Sequence, residues 1–542
     1  MKKSKNYWYL TLSWSAAISS VFLSTAVTAA ERIAISYPPF GEFYLDIENL
    51  ETLADTGKIT PELAYYTNRF KPEQVNKLQE LLSTPLELNP LSIYKFSNST
   101  IGEAVIKNFG KGIRGDVDRN GFLALRGAII SAAFNSEGLT IINILRNFPL
   151  KTIYVDLQSL GQYIEKGGQI ISDRDLLIKK FFYSNNKQQL EANSYLELQT
   201  RGEFNWKKYT LTYDNPHRVI TGYFDLYVPE ASKTPVPVII ISHGLASNRQ
   251  TFAYLGKHLT SHGFAVAVVE HYDISLDKFD GLLSGLERFP EPDNLINQPL
   301  DIKYVLDKLE QKAASNPSLQ GKLNLEQIGA IGHSFGGYTV LALAGGKLIR
   351  DEIASECQAD EYDRVLLDLS SLAKCTFYRL PARNYQLQDK RIKAVIALNP
   401  LGKIFGREGI KQIKIPTAIV SGTNDLITPP VVEQIQPFTW LEHPEKYLLL
   451  VQLGTHFSFL QEGLGVLPVP DALVGPSSSL ASPALQAFST AFFKTHIAEQ
   501  PEYQVYLTSD RISAIDSDPF KLSLIRSLTT TELEQAIERR LD

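Results

Sequence analysis

From about residue 205 onward, solid apolar runs alternate with amphipathic ones. Val236–Ser242, Phe264–Val269, Ile328–Gly332, Ile392–Leu398, Ile415–Ser421 and Tyr447–Leu453 are rich in Val, Ile and Leu. Short runs of this kind read as strands buried on both faces, as in a parallel sheet. Between them, Asn248–Ser261, Leu295–Gln311 and Ser482–His496 read as helices. Two earlier runs, Tyr209–Tyr213 and Gly222–Val228, alternate like half-exposed strands around the turn Asp214-Asn215-Pro216. The pattern predicts an α/β fold built on a mostly parallel, doubly wound sheet.

The first 200 residues have another period. Val75, Leu78, Leu81 and Leu82 fall on one face of a helix over Pro72–Leu82, and Pro61–Tyr66 is a second helix. Thr60-Pro61-Glu62 and Lys71-Pro72-Glu73 place Pro and Glu in first turns. Gly102–Phe109, Phe122–Phe134, Leu139–Phe148 and Asp156–Lys166 read as further short helices. The expected organisation is a helical domain over 31–170, a linker over 171–204, a catalytic domain over 205–500 and an extension over 501–542. Two stretches break the later alternation: 279–299, and 345–390, which reads as a lid-like insertion after the helix that follows residue 334.

The N-terminus reads as a targeting segment. Lys2, Lys3 and Lys5 precede an apolar stretch from Tyr7 to Val27, and Val27-Thr28-Ala29-Ala30 offers a small-residue cleavage site. This predicts a signal peptide over 1–30 and an exported, periplasmic or extracellular protein. Ser13, Ser15, Ser19 and Ser20 interrupt the stretch and argue against a spanning helix.

Composition narrows the function classes. Of 542 residues, 44% are hydrophobic and 21% charged, as in globular proteins. A net charge of −5 argues against a nucleic-acid binder, which needs a concentrated basic face. Cys357 and Cys375 are the two cysteines and, after export, candidates for a disulfide. Asp116–Gly121 matches half of a calcium loop, but Gly127 stands where the bidentate Glu belongs, so a turn capping the next helix is expected instead. No metal or cofactor is expected.

The candidate chemistry lies at strand ends. Gly332-His333-Ser334-Phe335-Gly336 reads G-x-S-x-G, between an apolar strand and a helix-compatible run. A strand, a sharp turn bearing Ser and a helix form the nucleophile elbow of α/β-hydrolases. Gly332 and Gly336 suit a turn in which backbones pass too closely for a Cβ. A serine hydroxyl needs a base to take its proton and an acid to orient the base. Asp425 follows the Ile415 strand and His456 follows the Tyr447 strand, in the chain order Ser, Asp, His. The expected oxyanion donors are the backbone N–H groups of Phe335 and Leu245. His243 and Gly244 are expected to support the Leu245 loop, and His333 to serve as elbow framework.

Ser242-His243-Gly244-Leu245, His262–His271 and Gly332–Gly337 together resemble the platelet-activating-factor acetylhydrolase and dienelactone-hydrolase-like branch of the α/β-hydrolases. The likeness covers roughly residues 205–500. It implies a carboxylic ester hydrolase, esterase- or lipase-like, working on a small-molecule or lipid ester through Ser334, Asp425 and His456. One position departs. The acetylhydrolases draw their acid from the strand after the nucleophile helix, and here that strand ends at Asn399. The acid then comes from Asp425, one strand later, as in dienelactone hydrolases and lipases. The leading region resembles an uncharacterised helical domain that precedes such hydrolases in photosynthetic bacteria. An acyltransferase using the same three residues, and a binding or assembly protein touching envelope lipid, stand as alternatives.

Overall fold

A computed structural model describes residues 29–36, 41–86, 89–98, 100–116, 119–182, 197–218, 220–230, 232, 234–275, 278, 291–354, 357, 375, 377–461 and 474–541. The expected signal peptide, save its last two residues, most of the 279–299 stretch and the middle of the 345–390 stretch lie outside them. The chain divides into two compact units, one formed by residues up to Gly161 apart from 98–105, the other by the remainder.

The first unit adds a small sheet to the expected helices. It holds a five-stranded sheet in the order β2-β1-β5-β3-β4. Its strands are β1 (Arg32–Ser36), β2 (Glu42–Asp46), β3 (Ile113–Asp116), β4 (Arg119–Asn120) and β5 (Thr152–Asp156). All are five residues or shorter, too short to leave a readable period-two signal. The helices do form, among them Pro61–Thr67, Pro72–Ser83 and Phe122–Ala133. Thr60 caps the first, accepting the Leu63 N–H at 3.2 Å. Their apolar faces meet the sheet in a core that includes Ile33, Leu53, Leu63, Leu125, Phe148 and Ile153. Beside the half calcium loop, the Asn120 side chain accepts the Phe122 N–H at 2.9 Å, as a capping turn requires. Residues 117 and 118 of that motif lie outside the described residues.

The second unit is built on a nine-stranded sheet ordered β14-β13-β12-β11-β10-β8-β9-β7-β6. The strands β6 (Trp206–Tyr213) and β7 (Gly222–Pro229) are antiparallel. The strands β8 (Val236–Ser242), β9 (Ala265–Val269), β10 (Leu323–His333), β11 (Ile392–Leu398), β12 (Thr417–Gly422) and β13 (Lys446–Val451) run parallel. This is the doubly wound α/β-hydrolase sheet that the apolar runs predict.

Its two faces explain the solid apolar strands. Along β8, Val238 and Ile240 enter one core with Leu295, Ile302, Val340 and Leu341. Ile239 and Ile241 enter the other with Leu255, Leu259, Leu485 and Phe488. Each such buried aliphatic side chain stabilises by about 1.5–3 kcal/mol, and Val238–Ile241 of β8 are apolar throughout.

Two expected boundaries move. The helix Leu157–Phe182 runs through the first part of the expected linker, and Leu198 is buried in a core of the second unit. In the expected C-terminal extension, β14 (Leu522–Ile525) pairs antiparallel with β13, so the 501–542 stretch completes the sheet. Four residues are too few to announce a strand by pattern alone. In the 345–390 stretch, Cys357 and Cys375 are joined by a disulfide. Among the described residues no helix is long and apolar enough to cross a membrane.

Candidate active site

The elbow forms because β10 runs straight into the helix Phe335–Leu343 with one residue between them. Ser334 is that residue, with φ 56° and ψ −117°. Such a conformation costs a non-glycine residue about 1–3 kcal/mol and persists only when its surroundings impose it. They do so by close approach. A Cβ on Gly332 would lie 1.9 Å from the Gly336 carbonyl oxygen, and one on Gly336 would lie 2.2 Å from that of Ser242. The Ser334 N–H is tied to the Leu398 carbonyl at 2.8 Å. Ser334 is buried, 8% exposed.

Asp425 and His456 meet. The His456 Nδ1 lies 2.8 Å from Asp425 Oδ2. Asp425 is fully buried, and its carboxylate is held by the Ile427 and Thr428 N–H groups at 2.9 and 2.8 Å on Oδ1 and by the Thr428 hydroxyl at 2.7 Å on Oδ2. A carboxylate only accepts, so Nδ1 carries a proton and, in the neutral imidazole, Nε2 keeps its lone pair. Nothing in the apolar strand pattern singles out Thr428. Its signal is the spacing, three residues after Asp425, that lets one side chain take both N–H groups of a turn.

Asn399 is buried between these two loops. Its Nδ2 donates to the Thr455 carbonyl at 3.0 Å and its Oδ1 accepts the Gly422 N–H at 3.1 Å. It fastens the loop bearing His456 to the end of the strand that leads into Asp425, a role that needs both a donor and an acceptor and so an amide rather than a carboxylate.

His333 is also framework. Its ring nitrogen Nε2 donates to the His456 carbonyl at 2.9 Å, and the two rings lie 4.8 Å apart. Burial first, and then the neighbouring His456, hold the His333 imidazole well below its ordinary range, so it stays neutral.

The loop after β8 passes over the elbow. A Cβ on Gly244 would lie 2.9 Å from both Ser334 Cβ and the His333 carbonyl oxygen. His243 is sealed beneath it. Its Nε2 accepts the His271 N–H at 2.9 Å, so Nδ1 bears the proton and donates to the Gly244 carbonyl at 2.8 Å. The backbone N–H groups of Leu245 and Phe335 meet no acceptor among the described residues. Among those residues, too, no group of three His, Cys, Asp or Glu side chains could hold a metal ion.

Comparison with known proteins covers both units. Residues 29–156 match the family described as alpha/beta hydrolase of unknown function (DUF1400). Residues 227–278 match platelet-activating factor acetylhydrolase, isoform II. The platelet-activating factor acetylhydrolase of Bos taurus is 30% identical over 137 residues, 19% of this chain and 31% of the relative. That of Canis lupus familiaris is 29% identical over 151 residues, 22% of this chain and 34% of the relative. The chloroplastic chlorophyllase-1 of Citrus unshiu is 25% identical over 187 residues, 34% of this chain and 52% of the relative. The chain thus spans about a third to a half of the length of these relatives.

Proposed function

We propose that this chain, which belongs to the α/β-hydrolase superfamily, is a serine carboxylic-ester hydrolase acting through an acyl-enzyme. Ser334 Oγ attacks the ester carbonyl carbon as His456 Nε2 takes its proton. Asp425 holds the imidazole in the tautomer that leaves Nε2 free and stabilises the imidazolium that forms. The negative oxygen of the tetrahedral intermediate rests on the Leu245 and Phe335 N–H groups, the second at a helix N-terminus. His456 then gives its proton to the leaving alkoxide as the carbon–oxygen bond breaks. Water, deprotonated by the same nitrogen, releases the acid and restores Ser334.

One observation carries this reading: a buried carboxylate 2.8 Å from the Nδ1 of His456, on a loop that His333 ties to the strained turn at Ser334. The relatives named as platelet-activating factor acetylhydrolase and chlorophyllase support an ester as the substrate class. The test is hydrolysis of p-nitrophenyl esters together with labelling by a fluorophosphonate. Ser334→Ala is expected to abolish both, and full hydrolysis by that variant would sink the proposal.

The same reading places the protein outside the cytoplasm. The Cys357–Cys375 disulfide supports export, because such bonds persist in oxidising compartments. N-terminal sequencing of the mature protein is expected to begin at residue 30 or 31. A start at Met1 would remove the export claim and leave the chemistry untouched.

A further inference from the structure

Beneath the loop that carries Leu245 lies a second set of Ser, His and Asp. The Ser242 hydroxyl is 2.9 Å from His271 Nε2, and His271 Nδ1 is 3.1 Å from Asp301 Oδ2. All three side chains are fully buried. Asp301 also accepts from Asn215 Nδ2 at 2.8 Å and from the Arg218 guanidinium at 2.7 Å on each oxygen. Arg218 pairs with Asp273 as well.

Hydrogen-bond direction can be followed through this chain of groups. Asp301, charge-paired with Arg218, accepts the proton on His271 Nδ1. His271 Nε2 then has only a lone pair, so the Ser242 hydroxyl must donate to it. The Ser242 oxygen faces Gln298 Nε2 at 3.4 Å, and the same Gln298 nitrogen donates to the His243 carbonyl at 3.0 Å. His271 acts a second time through its backbone, since its N–H fills His243 Nε2 and so commits His243 Nδ1–H to the Gly244 carbonyl. In a planar trans peptide the C=O and N–H point in opposite directions. Fixing the Gly244 carbonyl therefore fixes the direction of the Leu245 N–H.

We infer that Ser242, His271, Asp301 and Gln298 form a buried positioning relay that aims the Leu245 N–H at the oxyanion, and that they are not a second nucleophilic site. The inference rests on the esterase reading above. Being sealed from solvent, Ser242 can meet no substrate, and its carbonyl is the backbone atom against which Gly336 of the elbow packs. The relay thus joins the two expected oxyanion donors through one strand end. Electrostatic preorganisation of this kind matters because a donor helps only if it already points to where charge develops.

The test compares Ser242→Ala and Gln298→Leu with the parent protein, two neutral changes that leave the Arg218–Asp301 pair intact. Three quantities are read: kcat and KM for a p-nitrophenyl ester, inhibition by an alkyl trifluoromethyl ketone, which forms a tetrahedral adduct, and ester binding in a Ser334→Ala background. The expected result is a kcat about tenfold to a hundredfold lower, a ketone inhibition constant raised by the same factor, and KM and ester binding within about threefold. Unchanged kcat and ketone inhibition in a folded variant would overturn the relay. So would an equal loss of ester binding, which is what general distortion gives. If one variant does not fold, the other still decides. A parent protein without Ser334-dependent hydrolysis would instead overturn the esterase reading, and the relay with it.

Discussion

His333 Nε2 donates a hydrogen bond to the carbonyl oxygen of His456 across 2.9 Å. The residue before the expected nucleophile thus carries the backbone of the expected base. Its ring also lies beside that of Phe252, tilted by 45° with centroids 5.8 Å apart. His333→Phe keeps the ring and removes the donor, leaving a buried carbonyl unpaired at a cost of about 1–3 kcal/mol. The expected outcome is a kcat at least about tenfold lower, with His333→Gln, which restores an N–H, falling between the two. Steady-state kinetics on the three proteins checks it. Parental kcat in His333→Phe would show that the contact does not position His456.

Asp425 and Asn399 make a paired prediction. Asp425→Asn presents an N–H to His456 Nδ1 and favours the wrong tautomer, so kcat is expected to fall about 10³–10⁴-fold. Asn399→Asp, added to Asp425→Asn, supplies a carboxylate at the position the acetylhydrolases use. It is not expected to rescue. The Asn399 side chain faces the Thr455 carbonyl at 3.0 Å, and a carboxylate there would be repelled and would leave that carbonyl without its donor. Recovery of more than about tenfold in the double variant would mean that the acid can be drawn from either strand.

What could be read from the sequence follows from the physics of each signal. The parallel strands were legible because burial on both faces leaves no room for polar residues, as along Val238–Ile241. Ser334, Asp425 and His456 were legible because each stands where an apolar run stops. The strands Arg32–Ser36 and Leu522–Ile525 are not, since four or five residues carry no measurable period. The Ser242–His271–Asp301 relay was not legible for another reason. Its members lie 29 and 30 residues apart on different elements, and only the crossing of β8, β9 and the helix Asn294–Ser315 brings them together. In the sequence Asn399 stands only as a missing anion, and its positive contribution, one donor and one acceptor, needs the neighbouring loops to be in place.

Gly244 offers a direct test of the loop above the elbow. An added Cβ would sit 2.9 Å from Ser334 Cβ and from the His333 carbonyl oxygen, closer than real Cβ contacts come. The loop must therefore retreat and take the Leu245 N–H with it. Gly244→Ala is expected to lower kcat by about 10²–10³-fold, the usual effect of losing one oxyanion donor. Because Leu245 of this loop packs against one of the two cores, its retreat should lower the thermal midpoint as well. Kinetics and a melting curve on one preparation check both halves, and an unaltered kcat would remove Leu245 from the site.

Acid sensitivity should come from buried histidines, with His258 the clearest case. It lies on the helix Ala253–Ser261, is 6% exposed, and bonds Thr490 Oγ1 through Nε2 at 3.2 Å. Burial first, then the neighbouring His262, push its imidazole down from the ordinary 6.5 to about 3. The unfolded chain therefore binds this proton at a higher pH than the folded one. Its contribution to stability is complete above pH 6.5 and is lost progressively as the pH falls towards 3. His271 and His496, each lowered to about 4 by burial, act with the same sign. Between pH 7 and pH 5, His258 alone should remove about 2 kcal/mol of unfolding free energy. His258→Gln is expected to unfold with a correspondingly shallower pH dependence. Urea titrations of both proteins at the two pH values measure the difference, and parallel slopes would show that His258 titrates normally in the folded protein.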